Sequence, residues 1–184
     1  MRIDIFSDVI CPWCFIGKRR MERALTERPQ EPVEIFWRAF QLNPDMPVQG
    51  MPRQLYLQTK FGGPERAEQI YDNIRANGEK EGISFRFDLI EHTPNTVKAH
   101  RILRHATNLG FGDAMAERLF TGYFLEGANI GMPEVLADLA GEIGMDPDES
   151  RDWLASSAEN PEIMAETRFA YENGINGVPC FVFN

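Results

Sequence analysis

Apolar and polar side chains alternate at the start of the chain, with Ile3 and Ile5 set between Arg2 and Asp4, which predicts a short strand over residues 2–6. Ser7 to Ile10 lead into Cys11-Pro12-Trp13-Cys14, where the period becomes that of a helix. Pro12 suits a first helical turn, in which its missing N–H costs nothing. The predicted helix runs to about Arg28, places Gly17, Met21, Ala24 and Leu25 on one face, and is stopped by Pro29 and Pro32. Val33 to Phe40 is rich in β-branched and aromatic residues and predicts a second strand. Strand, helix, strand is the opening of a parallel βαβ unit.

Beyond Phe40 the pattern changes. A loop from Gln41 to Pro52 carries Pro44, Pro47 and Pro52 and marks the edge of an insertion. Residues 53–173 read as almost entirely helical. Asn95 is expected to cap a helix whose inner face is Ala99, Ile102, Leu103, Ala106 and Leu109. A second helix presents Ala116, Leu119, Phe120, Tyr123 and Phe124, and Pro133 opens a third with Leu136, Leu139, Ala140 and Ile143 inward. Pro147 to Ala158 and Pro161 to Asn173 follow, the last closed by Gly174. These stripes are core packing and carry no chemistry. After the loop Gly174 to Pro179, Cys180 begins a strand that ends the chain at Asn184. A parallel sheet needs cover on both faces, so the natural polypeptide is expected to continue past this strand, or the remainder to be disordered.

Composition narrows the function. With 43% hydrophobic and 26% charged residues in 184, the chain is an ordinary globular protein of one domain, or of one core with a large insertion. A net charge of −9 argues against nucleic acid, which requires clustered Lys and Arg. The one basic cluster, Lys18, Arg19, Arg20 and Arg23, is expected to be a solvated helix face. No stretch approaches the ~20 apolar residues of a membrane span, and the amino terminus lacks the pattern of a signal peptide. The expected location is cytoplasmic. Three cysteines exclude a secreted disulfide scaffold, and in a reducing compartment a close pair points to catalysis or metal binding.

Cys11 falls at the amino end of a helix that follows a strand. There, unpaired N–H groups and the helix dipole favour an anion, which lowers a thiol pKa from about 8.5 and supplies the nucleophilic thiolate. Cys14 is one turn on, within disulfide reach, and can resolve a mixed disulfide formed at Cys11. Half of a zinc site is the competing reading. Structural zinc usually takes four ligands, and the only other candidates are Cys180, His92, His100 and His105, with no second Cys-x-x-Cys. Two inert buried cysteines are a weaker alternative, and no metal is expected. Pro179 is compatible with a cis bond, although on periodicity alone a trans turn proline is the better expectation.

Strand, Cys-Pro-Trp-Cys, strand, helical insertion, then Gly177-Val178-Pro179 and Phe181-Val182-Phe183 resembles the DsbA-like branch of the thioredoxin superfamily. It is most similar to the signal-less subgroup known as polyketide-biosynthesis dithiol–disulfide isomerases. Phe40-Gln41-Leu42-Asn43-Pro44, Tyr56-Leu57 with Lys60-Phe61-Gly62, and Asn95-Thr96 with Ala99-His100-Arg101 extend the resemblance over the whole chain. It implies an α/β thioredoxin-like fold with a large all-helical insertion and with the terminal strand and helix missing. The core would be residues 1–40 and 174–184, and the cap 41–173, its last helix packing on the core. The resemblance further implies a cis Pro179 facing Cys11, oxidoreductase activity on Cys11 and Cys14, and a site shaped by Pro12, Trp13, Val178 and Pro179. Related glutathione-dependent 2-hydroxychromene-2-carboxylate isomerases and kappa-class glutathione transferases place a serine where Cys11 stands. This chain therefore sides with the redox members. Trp13, in place of a histidine, adds no charge for the thiolate, and Cys180 stands where an aromatic residue or threonine is expected.

His100 belongs to a cap segment that could overhang the cysteines, although a structural histidine at the cap–core junction is the preferred expectation. Cys180 is expected to be a buried, inert thiol pointing away from the helix of Cys11. The expected substrates are disulfide- or thiol-containing proteins or small molecules, with glutathione a candidate co-substrate. No tightly bound cofactor is expected beyond a redox-active Cys11–Cys14 disulfide. A glutathione-dependent transferase or isomerase is the alternative function, and Cys14, for which a transferase has no use, separates the two. A third reading, a chaperone-like binding module with an apolar cleft, competes only if the thiols are inert.

Overall fold

In the computed structural model, residues 1–27 and 32–184 are described; the predicted helix end at Arg28 and stop at Pro29 lie outside the described residues. Strand β1 (Arg2–Ser7) leads into helix α1 (Pro12–Glu27), and β2 (Glu34–Ala39) returns parallel to β1 with Ile5 opposite Trp37 and Ser7 opposite Ala39. Strand β5 (Cys180–Phe183) lies on the other side of β1, giving the order β2-β1-β5. It runs antiparallel to β1, with Phe181 opposite Ile5 and Cys180 opposite Phe6, and does not extend the parallel pairing. Alternation along β1 turns Ile3, Ile5 and Ser7 to one face and Asp4 and Phe6 to the other.

The stretch between β2 and β5 is largely helical: α2 (Arg53–Phe61), α3 (Pro64–Glu79), α4 (Val97–Asn108), α5 (Gly112–Glu126), α6 (Pro133–Glu142), α7 (Pro147–Ala155) and α8 (Asn160–Glu172). A two-residue antiparallel ladder, β3 (Met51–Pro52) with β4 (His92–Thr93), breaks the expected run of loop and helix. Asn95 does not cap α4 as expected. Its Oδ1 accepts the Val97 N–H at 3.0 Å while its Nδ2 donates to the Met46 carbonyl at 2.8 Å, so it folds the approach to the helix. Leu109, placed on the inner stripe by periodicity, follows the last helical residue and is 55% exposed. The stripe of α5 is buried throughout.

One hydrophobic core joins the sheet to the helices. Phe15 on α1 is fully buried and stacks on Phe120 of α5 at 5.3 Å between ring centroids, with Phe85 edge-on at 6.0 Å. The face of α1 predicted from Gly17, Met21, Ala24 and Leu25 instead lines an open apolar cleft of about 720 Å³.

The basic cluster of α1 is only in part the solvated face the sequence implies: Arg20 and Arg23 are exposed, but Lys18 and Arg19 turn toward α5. Lys18 is 2% exposed, 3.2 Å from carboxylate oxygens of both Asp113 and Glu117 on α5, and paired with Glu22. Arg19 also reaches Glu117, and Arg20 and Arg23 share Glu81. Apart from Glu22, four residues on from Lys18, the partners lie far away in sequence, so no local pattern reveals them. Burial pulls the Lys18 ammonium pKa down, but Glu22, Asp113 and Glu117 outweigh it and the net shift is upward. Burial pushes Glu22 up, but Lys18 and Arg19 prevail and hold it below the usual carboxylate range. Arg2 first, and then Arg38 against the opposing effect of burial, lower Asp4.

These signs fix a pH dependence. A lowered carboxylate stabilises the fold above its unfolded pKa, and that stability is lost as pH falls through the folded value. The raised Lys18 stabilises below its unfolded pKa, and its contribution is lost as pH rises through the folded value. The urea midpoint should therefore be flat between about pH 5 and 9 and fall on both sides. Lys18→Met leaves three carboxylates around an uncharged side chain. It should cost about 2 kcal/mol at pH 7, a buried-pair loss discounted for the partly exposed partners, and less near pH 3.5. Equal losses at the two pH values in urea denaturation would refute this account.

Candidate active site

The site is built where β1 ends. The Cys11 N–H donates to the Asp8 carbonyl at 2.9 Å, and the Cys11 carbonyl accepts from the N–H groups of Cys14 at 3.0 Å and Phe15 at 3.4 Å. Cys11 is thus the capping residue of α1, and Pro12 is the first helical residue. Both thiols are free. Cys11 is 4% and Cys14 1% exposed, a smaller difference than their helix positions imply, and Trp13 between them is 36% exposed.

The loop before β5 meets this turn. The Cys11 thiol donates to the Val178 carbonyl at 3.6 Å, and the Val178–Pro179 bond is cis. Gly17 permits the approach, since a Cβ there would lie 2.7 Å from Pro179 Cγ. Trp13, Ile16, Pro179 and Phe181 are among the residues that line the apolar cleft. Burial pushes the Cys14 thiol well up, and the adjacent Cys11 adds to this, while the Ser7 hydroxyl and the Asp8 backbone N–H pull it down. A dithiol at a helix amino terminus, beside a backbone carbonyl, can exchange with a substrate disulfide.

The sequence matches the model of the DSBA-like thioredoxin domain over residues 2–184. The chain belongs to this DsbA-like family. It is 34% identical to the probable DsbA oxidoreductase SCO1869 of Streptomyces coelicolor, whose crystal structure superposes with a TM-score of 0.87 over 99% of this chain and 80% of that one. It is 28% identical to the uncharacterized protein YwbO of Bacillus subtilis (strain 168) over 183 residues, 99% of this chain and 86% of the relative. A 2-hydroxychromene-2-carboxylate isomerase shares the fold with a TM-score of 0.76 at 16% identity, over 100% of this chain and 86% of that one. Proteins of the DsbA-like family are generally oxidoreductases or isomerases acting on thiols and disulfides.

In this DsbA-like chain His100 contacts the segments that follow β1 and β2. It is 3% exposed, with Nε2 3.2 Å from the Phe40 carbonyl and 3.3 Å from Asp8 Oδ1, so it ties α4 to the strand ends. Asp8 is fully buried, and its Oδ2 accepts the Leu42 N–H at 2.8 Å. Sequence reasoning missed Asp8 and Ser7. The only signal was their position between a strand and the first cysteine, because the partners of the Asp8 side chain, Leu42 beyond β2 and His100 on α4, lie far along the chain. Tyr56 was also missed as a site neighbour. Burial raises its pKa, which Asn43 and Arg53 oppose, and the charges of Asp8 and Cys11 add to the rise.

Cys180 points to the opposite face from Phe181, which packs against Gly17 of α1. It is half-buried and not fully buried as expected, because it lines a second cavity with Phe6, Phe169 and Val182 at the edge of the sheet. Among the described residues no group of three or more His, Cys, Asp or Glu side chains is placed to hold a metal, and no helix is long and apolar enough to cross a membrane.

Proposed function

We propose that this DsbA-like protein is a cytoplasmic thiol–disulfide oxidoreductase in which Cys11 attacks and Cys14 resolves. The observation that carries this reading is the pairing of two thiols on the first turn of α1, with Cys11 Sγ 3.6 Å from the Val178 carbonyl. The Cys11 thiolate attacks a substrate disulfide RS–SR′, expels R′S⁻ and forms Cys11–S–S–R. Cys14 then attacks Cys11 Sγ, expels RS⁻ and leaves the Cys11–Cys14 disulfide, so the substrate gains the two electrons that the dithiol loses. Two equivalents of an external thiol, with glutathione as the candidate, restore the dithiol and leave as their own disulfide. The substrates are disulfides of proteins or small thiols, and the net charge of −9 disfavours nucleic acid as a partner. Pro12, Trp13, Val178 and Pro179 shape the approach of substrate to Cys11.

Insulin reduction with dithiothreitol, by wild type and by Cys14→Ser, tests this reading. The variant should lose most turnover and accumulate a mixed disulfide at Cys11, visible by mass spectrometry without reductant. A Cys14→Ser protein that turns over as fast as wild type would instead favour a transferase or isomerase that uses Cys11 alone.

A further inference from the structure

Gly17 stands inside α1 and is the one glycine of that helix. Glycine is among the least favourable residues in a helix interior, so the reason for it lies elsewhere in the fold. A Cβ at this position would lie 2.7 Å from Pro179 Cγ, 3.4 Å from Phe181 Cζ and 3.5 Å from Pro179 Cβ. Non-bonded carbon atoms pack at about 3.5–4.0 Å, so the first of these contacts is a collision. Neither flank of the collision yields readily. Helix α1 is held by the fully buried Phe15 and Ile16 and by the ion pairs of Lys18 and Arg19 to α5. Strand β5 is fixed from Cys180 onward by its pairing with β1. Between them, the backbone of residues 176–179 makes a single hydrogen bond among the described residues, the one that the Val178 carbonyl accepts from the Cys11 thiol. The Val178–Pro179 segment is therefore the part that would give way.

We propose that Gly17 is a positioning residue for the attack of Cys11 on a substrate disulfide. Its missing side chain sets how closely the Val178–Pro179 segment sits against the Cys11 sulfur, 3.6 Å from the Val178 carbonyl. The inference rests on the reading that Cys11 attacks. In that step Cys11–S⁻ and RS–SR′ become Cys11–S–S–R and R′S⁻, the Cys11 proton having passed to solvent. The new S–S bond forms as the old one breaks, and the electron pair of the broken bond leaves with R′S⁻. The three sulfurs must lie in line, and a misplacement of about 1 Å can cost on the order of 100-fold in rate. A Cβ at Gly17 would push Pro179, and with it the wall beside Cys11, by about that distance. Gly17 touches no reacting atom and acts through Pro179.

Stopped-flow reaction of the reduced protein with 5,5′-dithiobis(2-nitrobenzoate), in a Cys180→Ala background, reads the attack as the first release of thionitrobenzoate. Alkylation by iodoacetamide reads the Cys11 thiol with no disulfide to align. Gly17→Ala should slow the first release roughly tenfold or more. Its alkylation should run at least as fast as in the parent protein, because the displaced segment uncovers Cys11. A Pro179→Ala background removes the colliding Cγ, and there Gly17→Ala should change the first release by less than about threefold. That background also decides the matter if Gly17→Ala alone does not fold. A first release in Gly17→Ala equal to the parent, an equal fall in release and alkylation, or an undiminished loss in the Pro179→Ala background would overturn the positioning role. Absence of any first release in the parent protein would instead refute attack by Cys11 itself.

Discussion

Replacing Cys11 with alanine should abolish disulfide reduction, with insulin turnover falling on the order of 10⁴-fold to the uncatalysed rate, as follows removal of a nucleophile that acts as a unit with its partners. Cys11 caps α1, where the helix dipole acts most strongly, and its sulfur lies 3.6 Å from the Val178 carbonyl. Cys14, at 1% exposure and with its thiol held protonated by burial, is poorly placed to attack a substrate in its stead. Cys180 lies on the other face of the sheet and cannot substitute. The alanine removes only a small side chain, so the urea midpoint should change little. Residual activity within tenfold of wild type would exclude Cys11 as the attacking thiol.

The dithiol was legible because its chemistry is local. Strand, Cys-Pro-Trp-Cys and helix are contiguous, and the helix amino terminus that favours a thiolate follows from Pro12 alone. The fold class was legible for the same reason: β1, α1 and β2 differ in period, and the buried stripe of α5 repeats cleanly. What escaped depends on contacts across long stretches of chain. The partners of Lys18 are on α5, and the burial of Asp8 depends on His100 from α4 and Leu42 beyond β2. Lys18 illustrates the limit well, since a lysine in a run of basic residues is solvated by default. Only the tertiary placement of Asp113 and Glu117 reverses that reading. Short elements escaped too, as the β3–β4 ladder spans two residues on each side and leaves no periodic trace.

Phe15→Ala should be the most destabilising of the single substitutions considered. The ring is fully buried, stacked at 5.3 Å on Phe120, and in contact range of Phe85 and Phe124 at 6.0 and 6.3 Å. It is adjacent in sequence to Cys14, so the same contacts that stabilise the core also fix the helix that presents the dithiol. Truncating a buried phenylalanine costs about 3–5 kcal/mol, and in a chain of this size each kcal/mol lowers the melting temperature by about 2–4 °C. A fall of roughly 6–20 °C is expected, read by circular dichroism or calorimetry. The ion pairs of Lys18 and Arg19 to α5 would survive the substitution, so α1 should remain docked at its outer edge while its inner face loosens. The reactivity of Cys14 toward alkylating reagents should then rise more than that of Cys11, because Cys14 depends on the packed face for its burial. A loss below about 1 kcal/mol would mean that the aromatic cluster closes over the cavity. In that event the ion pairs, and not the ring stack, hold the dithiol helix in place.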